Sequence, residues 1–154
     1  MKPVTTIGYL LQHVASALQR QSDQVLQERL GIGMSQYRIL MMLQALPETN
    51  QRKLADCLGQ TEASISRQIK LMIDKGLLQT SVNPENRREH LTTPTAKGLR
   101  LTEESMKVMQ GYHAEMFKHL GDKKQQQLIE SLAGMHQDVC QLGRVGACNH
   151  TFSN

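Results

Sequence analysis

Ser64, Ser66, Arg67 and Lys70 recur along one short stretch, and Arg87 and Arg88 stand together in another. Hydroxyls and cationic donors at this spacing make no bond-breaking set. They are the groups that bond to base edges and phosphate oxygens. At about 100° per residue, Ala63, Arg67, Lys70 and Asp74 point one way, with Ser64 beside them. Ile65, Ile69, Met72 and Ile73 form the opposing stripe, expected to be buried. A helix lying in a major groove is divided in this way. So is an ordinary amphipathic surface helix, so the surroundings must decide.

Those surroundings run from Asn50 to Gly98. Asn50 can cap a helix in which Leu54, Ala55 and Leu58 face inward. Gly59-Gln60-Thr61 then makes a sharp turn, with Gly59 supplying the backbone freedom. Thr61 caps the polar-faced helix and Glu62 suits its positive end. Gly76 stops that helix. Leu77 to Val82 predicts a strand, Glu89 to Thr93 its return partner, and Asn83-Pro84-Glu85-Asn86-Arg87-Arg88 a turn-rich basic tip. The order is a helix-turn-helix followed by a wing, a device for reading duplex DNA.

Charge sits where this reading needs it. The chain carries 18 Lys+Arg against 14 Asp+Glu, a net of +4. Between Arg52 and Arg100 there are nine basic residues against five acidic, so that span holds the whole surplus. Phosphate neutralisation requires such a surplus and makes binding fall steeply with salt.

The flanks are helical. Ile7, Leu10, Leu11, Val14 and Leu18, extended by Val25, Leu26 and Leu30, predict one helix from about Thr6 to Leu30, closed by Gly31 and Gly33. It has more apolar surface than one small reader can cover. A second helix runs from Met34 or Ser35 to Leu46, with Ile39, Leu40, Met42 and Leu43 inside. Thr95 caps another long helix, to about Leu120, and Asp122 is expected to cap the last. There, Leu128, Leu132, Met135, Val139 and Leu142 are spaced for helix-against-helix packing. The expected class is mainly α with a small β-wing. Residues 1–30 form an N-terminal dimerisation helix, 34–98 the reader, 95–142 the C-terminal dimerisation helices and 143–154 a polar tail.

Composition excludes several classes. Of the 154 residues, 39 % are hydrophobic and 3 % aromatic, with nine Met and no Trp, which suits helices over sheets. No apolar run approaches the roughly 20 residues of a membrane helix. No signal-peptide core follows Met1, so the chain is expected in the cytosol. Cys57, Cys140 and Cys148 are too few and scattered for a disulfide scaffold. No nucleophile elbow, glycine-rich phosphate loop or carboxylate pair suggests an enzyme, and no cofactor is expected. His136 and Cys140, four apart, have metal-ligand spacing but no further ligands in sight; His113 and His119 do not share a face at adjacent turns, and no metal site is expected.

The ordered segments resemble the MarR family of winged-helix transcriptional regulators. They are Met34-Ser35-Gln36-Tyr37-Arg38-Ile39-Leu40, Leu54-Ala55-Asp56-Cys57-Leu58-Gly59, Ser64-Ile65-Ser66-Arg67, Lys75-Gly76-Leu77-Leu78, Asn86-Arg87-Arg88 and Thr95-Ala96-Lys97-Gly98. The resemblance covers nearly the whole chain. It implies a homodimer whose terminal helices interlock, with two reading helices on a pseudo-palindromic operator. It implies groove and phosphate contacts from Ser64, Ser66, Arg67 and Lys70, and backbone contacts from Gln60 and Thr61. Arg87 would enter the minor groove, and Arg88 brace the wing or meet phosphate. The implied role is a repressor released by a small aromatic or phenolic effector, with His13, Tyr37, Arg38 and Met41 lining its cleft. Two other readings stand beside it: a cysteine-based redox regulator using Cys57, and a winged-helix protein-interaction module with little DNA binding. Four positions depart from the family pattern. Asn86 stands where Asp usually pairs with an arginine to fix the wing. Gln60 replaces a small apolar residue, Pro94 a Leu, and Leu71 a polar residue.

Overall fold

Helix starts in this chain are set by short polar side chains, as a computed structural model describing residues 6–47 and 49–140 shows. Thr6 accepts from the Tyr9 amide and opens α1 (Ile7–Leu30), which Gly31 closes in the left-handed conformation at φ 66°. The start of α2 (Met34–Ala45) is capped from a distance. Gly33 has no side chain to offer, and Asp23 of α1 accepts from the Met34 amide at 2.7 Å. Asn50 caps α3 (Gln51–Leu58) and Thr61 caps α4 (Glu62–Asp74), with Gly59 at φ 63° between them.

Two strands follow, β1 (Leu78–Val82) and β2 (His90–Pro94), antiparallel in the register Leu78↔Pro94 to Val82↔His90. Thr49 adds a single bridge to Thr92. Thr95 caps α5 (Ala96–Phe117), and a 3₁₀ turn over Lys118–Leu120 leads into α6 (Gly121–Cys140). The core gathers where α1, α2, α3 and α4 meet the sheet and α5. Leu26, Ile39, Leu43, Leu54, Ile65, Ile69, Met72 and Met109 are its centre.

Several expectations need correction. Ile73 is 36 % exposed, because the neighbours of α4 cover only the sector of Ile65, Ile69 and Met72. Leu77 precedes β1, its carbonyl turned to Thr95. Glu89 precedes β2, its carboxylate engaged elsewhere. Pro94 ends β2, a position where a proline is tolerated. The α5 helix stops at Phe117, where the chain tightens into the 3₁₀ turn. Asp122 lies inside the first turn of α6, which begins at Gly121, so it favours the helix dipole without capping.

The outer helices remain uncovered in a single copy. Ile7, Leu10 and Val14 of α1 are exposed, and no residue of α6 is fully buried. Leu128, Leu132, Met135 and Val139 lie open along it, Val139 to 62 %. Leu142, Cys148 and the tail lie outside the described residues.

Candidate nucleic-acid interface

Two segments bring the cationic groups to the surface. On α4, Arg67 and Lys70 are exposed beside Ser66, and Ser64 is half-buried at the helix start. Thr61 Oγ1 accepts from the Ser64 amide at 3.2 Å, satisfying an otherwise orphan helix donor. Ser64 Oγ donates to Gln60 Oε1 at 3.3 Å, so the turn and the first turn of α4 form one polar patch. Gln60, the departure from a small apolar residue, thereby gains a role the sequence did not suggest. Leu71 is half exposed on the same helix, as expected.

At the wing tip, Arg87 and Arg88 are both exposed. Neither they nor Arg67 or Lys70 forms an ion pair with a described residue; the pair found is Lys118 with Glu115. Unpaired, solvated cations can exchange water for phosphate without first breaking a salt bridge. Asn86 Oδ1 accepts from the Arg88 amide at 3.2 Å, and its carbonyl from the Glu89 amide at 2.8 Å. An amide oxygen therefore shapes the turn at the position where a carboxylate was expected. Within the loop, the Asn83 carbonyl accepts from the Asn86 amide at 3.2 Å, and the Asn83 amide donates to the Glu89 carbonyl at 2.8 Å. Glu89 takes hydrogen bonds from Asn83 and Asn50, a pairing that sequence reasoning missed. Only its position beside a basic tip could have drawn notice.

The far end of α4 is fastened to both long helices. Lys97 Nζ of α5 donates to the Lys75 carbonyl at 2.7 Å, and Lys75 Nζ to the Gly31 carbonyl at 3.4 Å. Thr95 Oγ1 donates to the Gly76 carbonyl at 2.7 Å. A cleft of about 450 Å³ opens beside this junction, lined by Leu30, Ile32, Leu77 and Leu101 with Lys75, Lys97, Arg100 and Glu104. Its two lysines are occupied with helix-end carbonyls.

The expected effector residues do not lie on that cleft. His13 is exposed, its ring stacked on Tyr9 at 5.9 Å between centroids. Tyr37, Arg38 and Met41 share α2 and are half-buried. Tyr37 packs against the core, and burial raises its phenol above the ordinary value of 10.0. No hydrogen bond or ring contact joins His13 to the other three among the described residues. Cys57 is half-buried against the core, in the manner of a small apolar side chain, and in no disulfide. No group of three or more His, Cys, Asp and Glu side chains is arranged to hold a metal among the described residues. No helix there is long and apolar enough to cross a membrane.

Known proteins share this arrangement. Residues 30–89 match the model of the MarR family. The HTH-type transcriptional regulator YdgJ of Bacillus subtilis (strain 168) is 27 % identical over 109 residues, 71 % of this chain. The match spans 66 % of that relative, just under two thirds of its length. Apo MarR from E. coli superposes with a TM-score of 0.78 at 22 % identity, covering 86 % of this chain and 98 % of that one. A MarR regulator from Methanosarcina mazei Go1 gives 0.79 at 24 %, covering 88 % and 97 %. CouR from Rhodococcus jostii RHA1, solved bound to p-coumaroyl-CoA, gives 0.72 at 23 %, covering 85 % and 92 %. The solved structures establish the fold beyond the reader, along the long flanking helices. With the match over residues 30–89, the chain resembles the MarR family in its reader and shares the winged-helix fold of these structures.

Proposed function

We propose that two copies of the chain bind a pseudo-palindromic operator and repress transcription until a small ligand releases them. The observation that carries this is the set of unpaired cations on α4 and the wing, on a chain whose basic surplus lies in the reader. Ser64, Ser66, Arg67 and Lys70 are assigned to the major groove and its phosphates, and Gln60 and Thr61 to the backbone at the helix start. Arg87 is assigned to the minor groove and Arg88 to phosphate. The wing spans 78–94, inside the 34–98 reader.

Dimerisation rests on residues 1–30 and 95–142. The open apolar faces of α1 and α6 are what a second copy would cover. Val139→Glu would place a charge in that seam, and sedimentation should then find monomers where the parent chain sediments as a dimer. An effector is supported by CouR, a structure of the same fold solved with p-coumaroyl-CoA bound. His13, Tyr37, Arg38 and Met41 are assigned to the site where an aromatic or phenolic ligand would act.

Fluorescence anisotropy tests the proposal, with DNA upstream of the chain's own gene and with random duplex, each over a salt series. Tighter binding to the upstream DNA, falling steeply with salt, is the expected result. Binding to neither would favour a protein-interaction role for the winged module.

A further inference from the structure

Glu89 is an acidic residue at the foot of a cationic tip, where a carboxylate works against phosphate binding. Its surroundings supply a reason for it. Oε2 accepts from Asn83 Nδ2 at 2.7 Å, and Oε1 accepts from Asn50 Nδ2. Each of those asparagines already has a structural task. Asn50 Oδ1 caps α3 by accepting from the Lys53 amide at 2.8 Å, and Asn83 Oδ1 accepts from the Glu85 amide at 3.0 Å. One half-buried carboxylate thus ties the start of the helix-turn-helix to both ends of the wing loop.

We propose that Glu89 is a positioning residue for DNA reading, fixing how far the Arg87 tip stands from the reading helix α4. The inference rests on the DNA-binding role argued above. Two probes on one rigid frame must meet a major groove and the neighbouring minor groove together. Held only by its strands and by bonds within the loop, the tip could swing as a unit against α3, and the ordering cost would fall on the complex. With the carboxylate in place, the tip is ordered before DNA arrives. The three side chains come from the α3 cap, the loop start and the loop end, so the anchor spans segments 39 residues apart.

Charge and geometry predict opposite signs for Glu89→Gln. Removing a negative charge near phosphates should tighten binding to any duplex. Loss of the anchor should weaken binding only where the tip reads the minor groove. The probes are the tightest duplex the wild-type protein selects from a random pool and an unselected duplex, measured by anisotropy at fixed salt. The expected result is about tenfold weaker binding to the selected duplex and no loss on the unselected one. In an Arg87→Ala background, Glu89→Gln should change affinity by less than about twofold, since the two residues act through one contact. Amide hydrogen exchange without DNA should show Arg88 and Glu89 losing protection while α4 keeps its own.

Tighter binding to both duplexes, additive effects of the two substitutions, or unchanged exchange at the tip would each overturn the proposal. If the wild-type protein binds no duplex, the regulator reading fails separately, and the exchange measurement alone decides whether Glu89 orders the tip.

Discussion

Gly98→Ala should destabilise the chain, although helix propensity alone predicts the reverse. Gly98 lies in the first turn of α5, where alanine is worth about 1 kcal/mol more than glycine. A Cβ built there would sit 2.1 Å from the Leu77 carbonyl oxygen and 3.1 Å from its carbon. Ordinary contact begins at 3.4 Å, well over 1 Å farther out, and the obstacle is backbone, so α5 must move away from the turn before β1. That same oxygen accepts from the Thr95 amide at 3.0 Å and from Thr95 Oγ1 at 3.2 Å. Overpacking costs about 1–3 kcal/mol and the weakened bonds about 1 kcal/mol each. Set against the propensity gain, the net loss is about 2–4 kcal/mol. Gly111→Ala, in the same helix with open space around it, provides the contrast. It should stabilise by about 0.5–1 kcal/mol. Urea denaturation followed by circular dichroism, at one protomer concentration, measures both. A Gly98→Ala chain as stable as its parent would refute the claim that α5 is seated against that carbonyl.

Arg67→Ala should cost about 1–3 kcal/mol on a specific duplex if the guanidinium reads a base; equal loss on random DNA would reduce it to a phosphate contact. Asp23→Ala should remove the side-chain cap of α2 and cost about 1 kcal/mol, with Asp23→Asn recovering most of it in the same urea titration. Tyr37 holds its proton more tightly folded than unfolded, because burial raises its phenol. Its contribution to stability is therefore complete below pH 10 and is lost as pH rises through 10 towards the folded value. Tyr37→Phe should flatten the alkaline part of a melting-temperature profile, and an unchanged profile would count against the assignment.

What could be read in the sequence was mostly local. Asn50, Thr61 and Thr95 each cap a helix from three residues away, and Gly59 turns where the spacing placed it. Such features depend on the chain's immediate neighbours, so a linear reading can find them. Asp23 and Glu89 act across 11 and 39 residues, and nothing in their own neighbourhood announces a partner. Ile73 fits the period of the buried stripe, but periodicity cannot say how wide a sector the neighbouring elements cover. The reading helix and basic tip were legible because they carry charge on a regular frame. The cleft beside Arg100 was not, since it arises only where α1, α4 and α5 converge.

The fastening of α4 by Lys97, Lys75 and Thr95 has a mechanical consequence. A helix fixed at its far end to both long struts has no hinge of its own. Moving it independently of them would break these bonds. A change in the set of α1 or α5 would therefore carry the exposed side chains of α4 with it. Such a frame needs no dedicated relay of side chains from effector to reader. In the repressor reading proposed above, it would also leave the position of an effector site free to vary along the struts.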